Sequence, residues 1–146
     1  MTEPEQYFNL YKGNYLASQT NNLKMEQERI IDALQAIFNG ADERNWQKVE
    51  QAMADNVLLD YVSLSGNPAA TLPAKEIVAA WAGFLPGFDR THHHLSDFEV
   101  QQNGDEAIIH CKGKADHFLN NESWTVEGTY DAGATKTNGQ WVVTKL

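Results

Sequence analysis

THHHLSDFEVQQNGDEAIIHCKGKADHFL, residues 91–119, decides what kind of fold this chain adopts. Its middle, NGDE at 103–106, is a tight-turn signal between two runs of extended character, so the stretch reads as a β-hairpin. The second arm, residues 106–119, alternates cleanly. Ala107, Ile109, Cys111, Gly113, Ala115 and His117 share one face; Glu106, Ile108, His110, Lys112, Lys114 and Asp116 share the other. Successive side chains on a strand point to opposite faces. The small, apolar face therefore turns inward and the charged face meets water. In the first arm Leu95 lies in odd phase while Phe98 and Val100 lie in even phase, which predicts a bulge between them.

Outward from the hairpin, a further strand is expected at about 122–135, then a turn at TNG (137–139) and a last strand, QWVVTKL. Upstream, a helix starts near Leu23. Ile30, Ile31, Leu34, Ile37 and Phe38 form its apolar stripe and Gly40 suits its C-cap. A second helix carries Trp46, Val49, Ala52 and Met53 on one face. Residues 57–64, VLLDYVSL, are β-branched and aliphatic and read as a strand. After the loop SGNPAA, Leu72-Pro73 opens a third helix, with Ile77, Val78, Trp81, Phe84 and Leu85 inward and Pro86-Gly87 at its end. Helices segregated from a mostly antiparallel sheet define an α+β domain.

Residues 1–22 stand apart. Tyr7, Phe8, Leu10, Tyr11 and Tyr15 suit a short amphipathic helix, Gly13 weakens it, and TNN at 20–22 reads as a break. The expected organisation is thus an N-terminal extension, 1–22, and one domain, 23–146.

At 146 residues the chain can bury roughly two-thirds of its unfolded surface and needs no disulfide or metal to fold. Cys111 is the lone cysteine, which fits a reducing, cytoplasmic setting. No apolar run approaches the ~20 residues of a membrane span, and MTEPEQYFNLYKGN lacks the features of a signal peptide. The net charge of −9 argues against nucleic acid as a partner, because nothing would neutralise its phosphates.

All 5 histidines fall between residues 92 and 117. Strand phase sorts them. His117 points inward at the end of the smooth face, and His110 points outward. Ahead of the bulge, His93 shares the inward face of Leu95, while His92 and His94 take the other. The triplet therefore cannot converge on one metal ion, and no metal is expected. Two inward histidines on a small-residue face suggest a pocket, with Tyr61, Trp81, Phe118, Trp124 and Tyr130 as bulky walls. Asp42, in the joint between the first two helices, suits an N-cap for the second.

GADERNW (40–46), LLDYVSLSG (58–66), the AW…FLPGFDRTHHHLS stretch ending at Ser96, and GKADHFL (113–119) together resemble the SnoaL-like group of the nuclear-transport-factor-2-like superfamily. The resemblance spans roughly residues 24–146. It implies a cone-shaped, curved and mostly antiparallel sheet packed on three helices around a pocket. The group includes polyketide cyclases and, nearby, scytalone dehydratase. The resemblance implies catalytic roles for Asp42, paired with His93, for His117 as a second acid–base group, and for Tyr61 beside a substrate carbonyl. Ala41 departs from the dehydratase pattern, which has tyrosine there. GTYD at 128–131 departs where an asparagine is expected.

The reaction so implied is proton abstraction beside a carbonyl, giving dehydration, isomerisation or cyclisation. Asp42 would fix the His93 tautomer and favour its protonated form. The substrate would be a small apolar or aromatic molecule and no cofactor would be needed. Relatives of this fold often dimerise through the open sheet, so a homodimer is expected. The alternative is a pocket that binds without chemistry, or a dimerisation module, since fold does not fix function.

Overall fold

The computed structural model describes residues 4–146, with side-chain surroundings from Leu16 onward apart from Ala17. Its helices are α1 (Pro4–Glu43), α2 (Trp46–Gln51), the single turn α3 (Val62–Ser65) and α4 (Ala74–Phe84). Its strands are β1 (Met53–Leu59), β2 (Ala70–Pro73), β3 (Arg90–Asn103), β4 (Glu106–Leu119), β5 (Glu122–Thr137) and β6 (Gln140–Lys145). The strands form one open sheet in the order β2-β1-β6-β5-β4-β3. All neighbours pair antiparallel except β1 and β6, which run parallel, Met53 opposite Val143. The result is α+β: a curved, unclosed sheet carrying helices.

The hairpin is where the sequence puts it. Asn103 pairs with Glu106, and Gly104 supplies a positive φ of 62° in the turn. The register shifts between Ser96 and Glu99, with Asp97 at φ 55°. That is the expected bulge, and it lets Val100 pair with Ile109 on the inward face.

The core sits between α1 and the sheet. Ile30, Leu34 and Ile37 are fully enclosed, and Val57, Ile109 and Val143 meet them from β1, β4 and β6. α1 is also clamped electrostatically. Glu26 accepts hydrogen bonds from Lys136 Nζ at 2.8 Å and Trp141 Nε1 at 2.5 Å. These bonds outweigh partial desolvation and hold the Glu26 carboxyl below the ordinary range, the Lys136 bond being the largest cause.

Several local expectations are corrected. TNN does not break the helix: α1 runs through it unbroken. Thr20 Oγ1 donates back to the Leu16 carbonyl at 3.0 Å, so a poor helix former is accommodated inside the helical ladder. The packing of Tyr7, Phe8, Leu10, Tyr11 and Tyr15 lies outside the described side chains. Gly40 is not a C-cap but lies within α1. A Cβ there would approach Val49 Cγ2 to 2.8 Å, so the glycine lets α2 pack close.

The strand expected over 57–64 ends at Leu59. Asp60 Oδ1 accepts the Val62 N–H at 3.3 Å and Ser65 Oγ donates to the Tyr61 carbonyl at 3.0 Å. These local bonds turn the chain into α3, which Gly66 closes at φ 76°. Part of the loop before Pro73 forms β2, an edge strand that pairs Leu72 with Val57. Phe84 is exposed, not inward, and meets Phe88 edge to face at 5.5 Å.

Candidate functional site

The last turn of α1 lies over the start of β3 and delivers a carboxylate to it. Asp42 Oδ2 accepts the His93 backbone N–H at 2.6 Å, and Oδ1 lies 2.6 Å from His93 Nδ1. Thr91 Oγ1 donates to Oδ1 at 3.0 Å. A carboxylate can only accept, so this geometry puts a proton on Nδ1 and leaves Nε2 as the ring nitrogen not engaged by Asp42. The two side chains are 15% and 14% exposed, Asp42 and His93 respectively. Burial pushes the Asp42 carboxyl up. The His93 ring and backbone hydrogen bonds, the His93 charge and the Thr91 hydroxyl outweigh it, and the net pKa falls below the ordinary value. Asp42 is therefore not the α2 cap. Asn45 caps α2, its side chain accepting the Lys48 N–H at 3.2 Å.

Strand register then places the second histidine. His93 pairs with Ala115, and His117 pairs with Thr91 on one side and Trp124 on the other. His93 and His117 are thus diagonal neighbours on one face, which sets them about 7–8 Å apart. His117 stacks on Trp124 with centroids 5.4 Å apart and planes 9° from parallel. Phe88 closes on both rings, at 5.1 Å from His117 and 5.3 Å from Trp124. His117 Nδ1 is buried and has no hydrogen-bond partner among the described residues.

A third group lies behind His93. Phe38 is 5.2 Å from His93 and 5.1 Å from Tyr130, and Tyr130 meets Tyr61 edge to face at 6.3 Å. Tyr61 therefore reaches the dyad through two intervening rings, from the N-cap position of α3 instead of a strand. Burial, with Tyr130 adding to it, raises the Tyr61 hydroxyl well above its ordinary pKa. Tyr61 is consequently a neutral hydrogen-bond donor at any physiological pH. Burial also pushes Tyr130 up. The Tyr130 ring occupies the space over Gly113, where a Cβ would lie 2.8 Å from Cδ2. The small inward face of β4 thus partly serves to seat this ring.

Of the expected pocket walls, Trp124 and Tyr130 share the inward face with the histidines. Trp81 is partly buried and packs against the core. Phe118 is corrected: it follows His117 on β4, faces the other side of the sheet, and carries the Arg90 guanidinium 4.1 Å above its ring. His92 and His94 are exposed on that outer side. His110 is there too, its Nδ1 in hydrogen-bond contact with Asp131 Oδ1. A cleft of about 220 Å³ opens beside His93, between Gln35, Phe38 and Asn39 of α1 and the β3 edge at Leu95. A larger open groove of about 380 Å³ runs between α1, α2 and the β5–β6 turn, past Ala33, Ala52 and Trp141. It contains no histidine, whereas the smaller cleft reaches His93.

Two residues escaped the sequence reading. Thr91 is the one buried polar side chain of the core among the described residues. Arg44 follows α1 with φ 58°, a conformation that costs a non-glycine residue roughly 1–2 kcal/mol. Its Nη1 donates to the Ala41 carbonyl and to Thr91 Oγ1, both at 3.2 Å; its Nη2 donates to the carbonyls of Leu85 at 2.9 Å and Phe88 at 3.4 Å. A basic residue two positions after a candidate acid was the available signal, but apart from Ala41 its partners are more than forty residues away.

The open curved sheet, the helix laid across it and the carboxylate–histidine pair at their junction define a small domain of nuclear-transport-factor-2-like fold. The chain belongs to the SnoaL-like domain family, whose model matches residues 25–146. No curated protein matches it. Among solved structures it is similar to the Kfla4162 protein of Kribbella flavida, at 25% identity and TM-score 0.80, over 84% of this chain and 88% of that one. It is also similar to a candidate scytalone dehydratase of Novosphingobium aromaticivorans, at 19% identity and TM-score 0.75, over 86% and 84%. A third is hexachlorocyclohexane dehydrochlorinase LinA-type3 of Novosphingobium barchaimii, at 14% identity and TM-score 0.69, over 86% of each chain. At these identities the last two likenesses speak for the fold.

Proposed function

We propose that this protein is a cofactor-independent lyase or isomerase that moves a proton beside a carbonyl in a small apolar or aromatic substrate. The observation that carries the reading is the Asp42–His93 pair, 2.6 Å apart, on a face it shares with His117. Asp42 holds the ring so that Nε2 is the free base. His93 Nε2 takes the substrate proton and returns it. His117 hydrogen-bonds or protonates the developing enolate or a leaving hydroxyl, while Tyr61 stands two rings behind His93 as a neutral hydroxyl. The relatives named for dehydratase and dehydrochlorinase activity agree with an elimination, and a homodimer would suit the open sheet.

The reading is testable before the natural substrate is known. A panel of cyclic ketones and β-hydroxyketones is incubated with the protein in D₂O, and exchange of the α-proton is followed by NMR. Catalysed exchange is expected, and His93→Asn should slow it by about 10²–10⁴. Equal exchange in wild type and variant would overturn the mechanism. A non-catalytic ligand-binding role is the second reading. It is favoured by the Tyr130 ring filling the space above Gly113, and would show as saturable binding without exchange.

A further inference from the structure

The two halves of the site are held by different forces, yet one side chain reaches both. Thr91 Oγ1 bonds Asp42 Oδ1, and Arg44 Nη1 bonds the same hydroxyl. Through Nη2 the guanidinium holds the turn at 85–88 by its Leu85 and Phe88 carbonyls. Phe88 is the ring that closes on His117 and Trp124. The geometry points to Arg44 as a positioning residue that sets the Asp42–His93 pair and the His117 ring relative to each other.

Three features support this. Arg44 stands in the left-handed conformation, φ 58°, at the end of α1, where glycine is the unstrained choice. None of its four hydrogen bonds goes to a carboxylate, so charge pairing does not explain them. They are a planar fork matched to acceptors on three separate segments, which lysine's point charge cannot reproduce. Thr91 is the hydrogen-bonding relay on the Asp42 side and also stands opposite His117 across the β3–β4 ladder, so Thr91→Val cuts the relay while keeping the side chain's shape beside that ring.

The proposal rests on reading the two halves as one acid–base centre, but its test does not use activity, so each can fail without the other. Imidazole NMR on the intact protein reads both halves. The His93 Nδ1 proton, held against Asp42, is followed at low field; the His117 ring protons, shielded by the stacked Trp124 indole, are followed by their shifts. Arg44→Gly, which fits the backbone, should lose the first signal to solvent exchange and move the second towards unstacked values. Thr91→Val keeps the side chain's shape beside His117 and should release the His93 proton to solvent exchange while the His117 ring stays stacked on Trp124. Arg44→Lys keeps the charge and should disturb both signals in a folded protein, which decides the matter if the glycine variant does not fold. A merely structural arginine would lower the melting temperature and leave both signals of the folded state in place. That result overturns the proposal. So does a change confined to one histidine in both Arg44 variants, or a Thr91→Val variant in which His117 leaves its stack on Trp124.

Discussion

The Asp42–His93 half of the site and the His117–Trp124 half meet on one face of the sheet, across β3, β4 and β5, and are built in opposite ways. In the first, Asp42 receives a ring nitrogen, a backbone N–H and a hydroxyl. In the second, His117 is held between aromatic faces and its buried Nδ1 has no partner among the described residues. Directional bonds fix a tautomer and a proton position. Stacking fixes a plane but leaves the ring's hydrogen-bonding atoms uncommitted. The first half is thereby suited to a base whose protonation must be defined, the second to a group that meets whatever the substrate presents.

The contrast can be broken most forcefully at its polar end. His93→Ala should cost about 10²–10⁴ in α-proton exchange, whereas His117→Ala should lower exchange less while weakening ligand binding; initial rates over a substrate series separate the two. Asp42→Asn comes next. It removes a charge-assisted hydrogen bond worth roughly 1.5–3 kcal/mol, visible in urea unfolding at neutral pH.

The same substitution has a pH signature. The Asp42 carboxyl lies lower in the folded chain than its unfolded value of about 3.9. Its contribution is therefore fully present above that value and is lost as pH falls through the folded pKa. Asp42→Asn should flatten the acid limb of the stability profile below about pH 4, leaving the share due to Glu26. A limb of unchanged steepness would show that the hydrogen-bonded contrast is drawn too sharply.

Gly113→Ala probes the ground behind the dyad. The added methyl must displace the Tyr130 ring from Gly113, at about 1–3 kcal/mol by analogy with overpacked cores. Phe38 and His93 should register the shift in their aromatic resonances. Trp124→Ala is milder, since the indole is 43% exposed. Losing its stack should cost about 0.5–1.5 kcal/mol, and the His117 ring protons should move while the His93 Nδ1 proton stays. The smallest effect belongs to the outer face. His110→Ala breaks an exposed pair with Asp131 and should change stability by no more than about 1 kcal/mol without touching exchange.

Much of this site was legible because strand phase is a local property. The alternation through 106–119 separates His117 from His110, and the phase switch between Leu95 and Phe98 locates the bulge that keeps His93 inward. The pairing of Asp42 with His93 is not local; only the family resemblance brought them together. Arg44 and Thr91 remained hidden for the same reason, because their partners lie on other elements. Phe118 was misread as a wall where the alternation that turns His117 inward already turns its neighbour out. Tyr61 was misread for a different cause: aliphatic β-propensity carried the strand past Asp60, and side-chain bonds to the backbone stopped it. β2 carries almost no apolar pattern, so pairing with β1 alone reveals it.

The parallel contact of β1 with β6 has a consequence in time. β6 lies in the interior of the sheet between β1 and β5, yet it is the final strand in chain order. The Asp60 N–H bonds the Leu146 carbonyl at 2.7 Å, across most of the domain's length. A long loop must close before that contact repays its entropy. The β3–β4–β5 meander can therefore pair locally, as β1 can with β2, while the seam between these two parts waits for β6. His93 and His117 thus sit on strands that pair locally, whereas the sheet becomes one piece only when β6 takes its place beside β1.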